Sequence, residues 1–406
     1  MSGPEVTLEI GGIAHGGHCV ARHEGRVVFV RHTLPGERVL ARLTEAEPDA
    51  RYWRADAVEV LQASSDRVPS PWPEAGAGGV GGAELAHVSL PAQRRWKAAV
   101  ISEQMKRLAR LDTEVTVEEV PGAADGLHWR TRIELVTNRS GQPGMHRHRS
   151  REVIGLSSMP LAVEELAVER LLGRRWPAGA RLTAVAPQGD RHLLLVDGVP
   201  WTDRGPDRRP NARTAVRESA DVAGRQYTWR VAGDGFWQVH RGAPAALAGA
   251  VLDAVGPVVG EQVVDLYSGA GLFAVPLADE VGPGGRVVAL EGDARAAQDA
   301  RRNLHDRGHV DLHLGGVRDV LASGVVERAD VVVLDPPRVG AGRAVIESVA
   351  ALAPRRVVYV ACDPAALARD VGYLGGLGYP MSGLRAFDLF PMTHHVECVA
   401  TFDRGG

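Results

Sequence analysis

The sequence predicts a protein of the α/β class in three parts: a small N-terminal β-barrel, a middle α+β region and a C-terminal doubly wound sheet. Three observations carry that expectation. Past Tyr227, four valine-rich runs (Gln262–Leu266, Arg286–Leu290, Ala329–Leu334 and Arg356–Val360) alternate with helical stretches, and runs so uniformly apolar suit parallel strands covered on both faces. The first part alternates apolar and polar residues between Gly, Pro and His turns, as in a small antiparallel barrel. A chain of 406 residues also exceeds one ordinary domain. The parts are expected at 1–62, 63–225 and 226–406.

Composition narrows the class. A 45% hydrophobic and 24% charged chain is that of a soluble globular protein. No apolar run approaches the ~18 residues of a membrane helix. The start, Met1-Ser2-Gly3-Pro4-Glu5, has neither a basic nor an apolar leader region, so secretion is not expected. Three cysteines, Cys19, Cys362 and Cys398, cannot build a disulfide framework and suit a reducing cytoplasm. A net charge of -3 gives no global argument for nucleic acid, so any such argument is local.

In chain order, the barrel strands are expected at Val6–Ile10, Arg26–Val30, Glu37–Leu43 and Arg54–Val60. Arg22, His23, Arg26, Arg31 and His32 add local positive charge there, which a solvated face explains as well as a nucleic-acid contact does. Pro69 to Gly82 is a Gly/Pro-rich loop. Leu90-Pro91 then opens an amphipathic helix running to about Leu111, with Trp96, Val100, Ile101, Met105 and Leu108 on one face. The middle region reads as strands at Arg132–Val136 and Glu152–Ile154, a helix near Val163–Leu172, and strands near Leu182 and Leu193. Its loop His146-Arg147-His148-Arg149-Ser150-Arg151 is either a phosphate contact or a charged hairpin tip.

The chemistry is expected at the carboxyl ends of the C-terminal strands. Arg356–Val360 delivers Cys362 to a helix whose N-cap is Asp363 and whose first residue is Pro364. The helix dipole favours thiolate, while the neighbouring carboxylate opposes it. Val264-Asp265-Leu266-Tyr267-Ser268-Gly269-Ala270-Gly271 ends the first strand, and its glycines let a cofactor approach the backbone. Glu291, at the end of the next strand, is placed to accept hydrogen bonds from ribose hydroxyls. Asp265, the glycines and Glu291 together resemble the S-adenosylmethionine (SAM) site of class I methyltransferases, with a nicotinamide site as the alternative. That resemblance puts Asp319 at the adenine amino group.

Asp335-Pro336-Pro337-Arg338 carries arginine where amino-methyltransferases carry an aromatic residue. With Cys362 on the next strand, this favours a pyrimidine carbon over a base nitrogen as acceptor, because C5 becomes nucleophilic only after a thiolate adds at C6. Phe236-Trp237-Gln238-Val239-His240, Asp265–Phe273, Leu334–Arg338, Cys362-Asp363-Pro364 with Leu367–Asp370, and Phe390–Glu397 resemble the motif series of the RNA uracil-C5 methyltransferase family. Gly11–Gly17 and Val30–Glu37 resemble its TRAM domain, a small RNA-binding barrel. The resemblance implies SAM as cofactor and RNA as partner. It implies Gln238, Tyr267, Glu291 and Asp335 in the cofactor and active-site pocket, Cys362 as nucleophile and Glu397 as base.

Many TRAM-bearing relatives hold an iron–sulfur cluster by four cysteines, but the matching positions here are Trp72, Val80, Ala83 and Met159. No iron–sulfur cluster is therefore expected, nor any other metal: His305, His309 and His313 read as a solvated helix end. His394 and His395 flank the base. The expectation is a cytoplasmic, monomeric enzyme that methylates C5 of a uridine in 23S ribosomal RNA. The alternatives are a T-loop uridine of transfer RNA and, from another class, a non-catalytic RNA-binding or chaperone protein.

Overall fold

The computed structural model describes residues 3–405. Its N-terminal barrel consists of β1 (Glu5–Glu9), β2 (Ile13–Ala14), β3 (His18–His23), β4 (Arg26–Arg31), β5 (Arg38–Glu45) and β6 (Tyr52–Gln62), in the order β1-β5-β6-β4-β3-β2. Against the expectation of a purely antiparallel barrel, β4 and β6 run parallel. The backbone bonds Gly11 N–H to Val20 O and Val20 N–H to Gly12 O join the end of β1 to β3 and close the sheet. Closure removes the exposed edges that a short sheet would otherwise present. Val28, Val30, Val39 and Ala41 fill the interior at every second position.

Helix α1 (Leu90–Gln104) starts with Pro91 in its first turn, where the missing N–H costs nothing. Trp96, Val100, Ile101 and Met105 are buried as the period predicts. Leu108, expected on the same face, is exposed. The helix widens into a π turn over Met105–Ala109 and stops at Arg110 with φ 59°, and the extra residue per turn rotates Leu108 off the buried side. Strand β7 (Val117–Glu119) follows. The middle sheet contains β8 (Arg132–Thr137), β9 (Pro143–His146), β10 (Val153–Gly155), β11 (Arg181–Val185), β12 (Leu193–Val196), β13 (Val199–Thr202) and β14 (Gly205–Pro206), ordered β10-β9-β8-β11-β12-β13-β14. Instead of one helix near Val163–Leu172 there is a 3-10 turn, Glu164–Leu166, and a short α2 (Val168–Leu172). Ala167 between them has φ 44°, a left-handed residue that a continuous helix cannot hold.

The remaining elements are the hairpin β15 (Ala215–Val222) and β16 (Arg225–Ala232), then α3 (Ala243–Val255), β17 (Gln262–Leu266), α4 (Ala274–Val281), β18 (Arg286–Glu291), α5 (Ala294–Asn303) and β19 (Val310–Leu314). They continue with α6 (Val317–Ala322), β20 (Val331–Leu334), α7 (Gly342–Ala351), β21 (Arg356–Ala361), α8 (Pro364–Gly376), β22 (Met381–Asp388) and β23 (Glu397–Asp403). The sheet order is β19-β18-β17-β20-β21-β23-β22-β7. Strands β17 to β21 are parallel, and β23 enters antiparallel beside β21. Valines 263, 264, 287, 288, 331, 332, 357 and 358 are fully buried, split between two apolar layers above and below the sheet. The order reverses between β17 and β20, opening a crevice at their carboxyl ends. The C-terminal end of α1 and Val117 at the start of β7, both within 63–225, pack into the lower layer, and the β15–β16 hairpin, which straddles residue 225, packs into the upper one.

Candidate active site

Four acidic or thiol side chains leave the carboxyl ends of adjacent parallel strands: Asp265 on β17, Glu291 on β18, Asp335 after β20 and Cys362 after β21. Asp265 is fully buried, and neither carboxylate oxygen has a hydrogen-bond partner; the Ser268 hydroxyl is also unpartnered. Burial and the nearby Asp335 and Glu291 carboxyls raise the Asp265 pKa well above the carboxylate range. Glu291 accepts from the Gly269 N–H at 2.7 Å and the Asp293 N–H at 2.7 Å, so its carboxylate is fixed under the glycine loop. Gly269 and Gly271 have φ 58° and 91°, and the non-glycine Tyr267 has φ 64°, a strained turn of the kind found at ligand sites. The Trp229 indole N–H donates to Gly271 O and the Asn303 amide to Ala270 O, holding this loop from behind. Unpartnered buried oxygens beside a loop with two glycines at positive φ fit the ribose and amino-acid groups of SAM.

Cys362 and Glu397 meet through the sheet. Ala361 on β21 pairs with Cys398 on β23, so one step further along the ladder Cys362 stands opposite Glu397, on the same face. Glu397 is buried, and burial together with Asp335 raises its pKa well above the carboxylate range, opposed only by Arg338. Burial pushes the half-buried Cys362 thiol up to about 12, with Glu397, Asp335 and Asp363 adding and Arg338 opposing. Burial raises Asp335 to about 7. Asp363 caps α8 as expected, accepting from the Ala366 N–H at 2.8 Å.

Gln238 is buried on the segment between Trp237, in the upper layer, and Val239, packed on the middle region. Asp319 is exposed in the first turn of α6, just after β19. His395 lies 3.5 Å from Arg338, and burial lowers it to about 3, which leaves a neutral ring. His305 and His309 bond backbone carbonyls separately, and His313 lies on β19 rather than on a helix. Trp72, Val80, Ala83 and Met159 converge in one apolar cluster with Ala75 and Leu161. Of the barrel cations, Arg31 is tied bidentately to Asp56 at 2.7 Å and His32 is buried, with its pKa lowered to about 4. Neither supplies surface charge.

Several supports had no signal in the sequence. Gln93 and Lys97, one turn apart on α1, are fully buried. The Met392 N–H donates to Gln93 at 2.7 Å, and Lys97 donates to Asp388 and to Phe390 O at 3.0 Å. Together they anchor the 389–396 loop that leads into Glu397. Asp370, from the Leu367–Asp370 motif, is fully buried and accepts from the Tyr359 hydroxyl and the Ala341 and Gly342 N–H groups. The Arg369 guanidinium donates to Val339 O at 2.7 Å. That motif therefore holds the loop carrying Arg338, a role that adjacency in the chain does not reveal.

Comparison with known proteins identifies the family and the fold. Residues 1–58 match the TRAM domain, 247–356 the methyltransferase small domain, and 326–404 tRNA (Uracil-5-)-methyltransferase. An "Uncharacterized RNA methyltransferase" of Streptomyces avermitilis is 46% identical over 99% of this chain and 98% of the relative. One of Streptomyces coelicolor is 44% identical over 99% and 93%. The 23S rRNA (uracil(1939)-C(5))-methyltransferase RlmD of Shewanella amazonensis is 29% identical over 98% and 96%. In fold, the chain resembles the Pyrococcus abyssi tRNA (uracil-54, C5)-methyltransferase solved with S-adenosyl-L-homocysteine: TM-score 0.71, 22% identity, 98% of this chain and 100% of that one. The chain belongs to the TRAM-bearing RNA uracil-C5 methyltransferase family, and it is a SAM-dependent enzyme.

Proposed function

We propose that the protein methylates C5 of a uridine in 23S ribosomal RNA through a covalent bond between Cys362 and C6 of the base. The observation that carries this reading is the cross-strand placement of Cys362 and Glu397 on one face, beside Asp335 and Arg338. SAM, when bound, supplies an electrophilic methyl group on a positively charged sulfur. Asp265, Glu291 and Tyr267 at the β17–β18 ends, with Gln238, Asp319 and Asp335 around them, are the residues assigned to hold it. A uridine must leave its stack to reach this depth.

Cys362 releases its proton to water on its exposed side, and the thiolate sulfur bonds C6, pushing the C5–C6 electron pair into the ring as an enolate. C5 thereby becomes nucleophilic and is methylated. Glu397, ionised, takes the C5 proton, and the released electron pair re-forms the C5–C6 double bond and expels the sulfur. Arg338 favours the charged forms of both Cys362 and Glu397 against their burial.

RNA is assigned to a cleft of about 410 Å³ between the barrel and the 146–151 loop, lined by Arg42, Arg54, Arg147, Arg149 and Phe29. Arg149 crosses it to meet Glu45 at 2.9 Å. No iron–sulfur cluster is assigned, because the four matching positions carry apolar side chains and no thiol. A transfer-RNA uridine is the second reading, favoured by the model matched at 326–404. Mass-spectrometric mapping of 5-methyluridine in a deletion strain separates the two. Loss of one 23S site is expected; loss confined to transfer RNA would overturn the ribosomal assignment.

A further inference from the structure

We propose that His15, on the barrel turn between β2 and β3, is a positioning residue for Cys362: it pairs with Asp363, so that the cysteine is set for attack only when the barrel is seated. The inference rests on reading Cys362 as the nucleophile. The His15 Nε2 atom lies 3.2 Å from Asp363 Oδ2, while the other Asp363 oxygen caps α8. The aspartate thus spends one oxygen on the helix that follows the cysteine and the other on a different part of the molecule. The same turn reaches the opposite flank of the site. A Cβ added at Gly17 would sit 3.2 Å from His394 Nδ1 and 3.2 Å from the Glu84 Cβ, and φ there is +78°. The His394 ring lies on His395 with centroids 4.1 Å apart, and His395 approaches Arg338. Glu84 lies 3.4 Å from His394 and is buried. Two short chains of contacts therefore run from one barrel turn, one to Asp363 and one to Arg338, both of which act on the Cys362 sulfur.

The electrostatics give this turn a task. Facing Cys362 are Glu397 from β23, Asp335 and Arg338 from the segment after β20, and Asp363, the N-cap of α8 and its neighbour in the chain. Three of those four groups are acidic and oppose a thiolate. Only Asp363 is placed to receive a counter-group from the barrel, and His15 provides it. Burial would raise the Asp363 pKa, but the His15 hydrogen bond and the helix N–H groups bring it below its ordinary value. Without His15, an unscreened carboxylate stands one residue from the sulfur. Because both partners are partly exposed, at 38% and 26%, water screens the pair and its effect is modest.

The test measures alkylation of Cys362 by iodoacetamide against pH in the full chain, read by mass spectrometry. Cys19 and Cys398 are fully buried and serve as internal controls. His15→Ala should slow alkylation at pH 8 by about three- to fivefold, the upper range of a partly exposed pair in which the imidazole N–H donates to a carboxylate. In an Asp363→Asn background, where asparagine still caps the helix, the same removal of His15 should change the rate less than about twofold. RNA affinity should not change with His15→Ala, while single-turnover methylation at saturating RNA slows by the same factor as alkylation. Equal slowing in both backgrounds, no slowing at all, or lost RNA affinity with normal alkylation would each overturn the proposal. If alkylation follows His15 but the wild type never forms an RNA adduct, the pairing stands and the nucleophile reading fails.

Discussion

A half-buried thiol among three carboxyl groups is a poor nucleophile at rest, and that fixes what each substitution should trap. On the proposed covalent route, Cys362→Ala should abolish methylation and adduct alike, because that route then yields no enolate. Glu397→Gln should methylate C5 and then stall, since the sulfur cannot leave until the C5 proton does. A SAM-dependent, slow-migrating RNA adduct on a denaturing gel is expected from Glu397→Gln and not from Cys362→Ala. Normal turnover by Glu397→Gln would move the base role to His394 or His395. Asp335 has a cost in stability. Its pKa rises from 3.8 to about 7 on folding, so the native state binds a proton there that the unfolded chain releases. The contribution of this group is most favourable below pH ~4 and is lost as pH rises through about 7. Asp335→Asn should therefore unfold at a higher temperature than wild type above pH 7, with the gap closing below pH 4. Asp335 is partly open at the pocket mouth, which limits the gain to about 2 kcal/mol. A denaturant titration at both pH values checks the sign. These residues were legible in the sequence because strand ends and short motifs carry them. His15 and Glu84 were not, because nothing in a chain pattern marks a residue that meets the site from hundreds of positions away.

Helix α1 shows how an element can be half legible. The 3.6-residue period found Trp96, Val100, Ile101 and Met105, since apolar spacing is what it reports. The same period assigned Gln93 and Lys97 no burial, because polar residues enter it as surface; both are fully buried and bind the 389–396 loop. The exposed Leu108 is the converse failure, a shift of phase at a π turn that no apolar count can anticipate. Strand β23 lies outside the four valine-rich runs, and its place beside β21 is what sets Glu397 opposite Cys362. Removing the cation from the Lys97–Asp388 pair leaves a 2% exposed carboxylate without its partner. Lys97→Ala should therefore cost about 3–5 kcal/mol in a denaturant titration. Lys97→Met with Asp388→Leu, which removes both charges, should cost clearly less. If the double variant is the worse of the two, the pair is not held by charge compensation.

Across the molecule, the three parts meet at the active site rather than hanging from it. The four valine runs made the C-terminal sheet legible, and alternation made the barrel so. Their mutual packing was not, since Trp96 and Val100 of α1 complete the barrel core while Ile101 and Met105, on the same helix, complete the C-terminal one. Truncating the barrel would expose that shared face, so RNA binding is better tested by charge than by deletion. With a net charge of -3, the chain as a whole does not attract a polyanion, and the cleft between barrel and hairpin has to do so locally. Arg147 and Arg149 line it, and both are exposed enough to change without opening a core. Arg147→Ala with Arg149→Ala should weaken RNA binding and flatten its salt dependence, by roughly 0.7 log units of affinity per log unit of salt for each single-strand phosphate left without its arginine. SAM binding, at the far ends of β17 and β18, should be untouched. A salt slope identical to wild type would mean that these arginines serve only their partners Glu152 and Glu45, and that the RNA takes another path to Cys362.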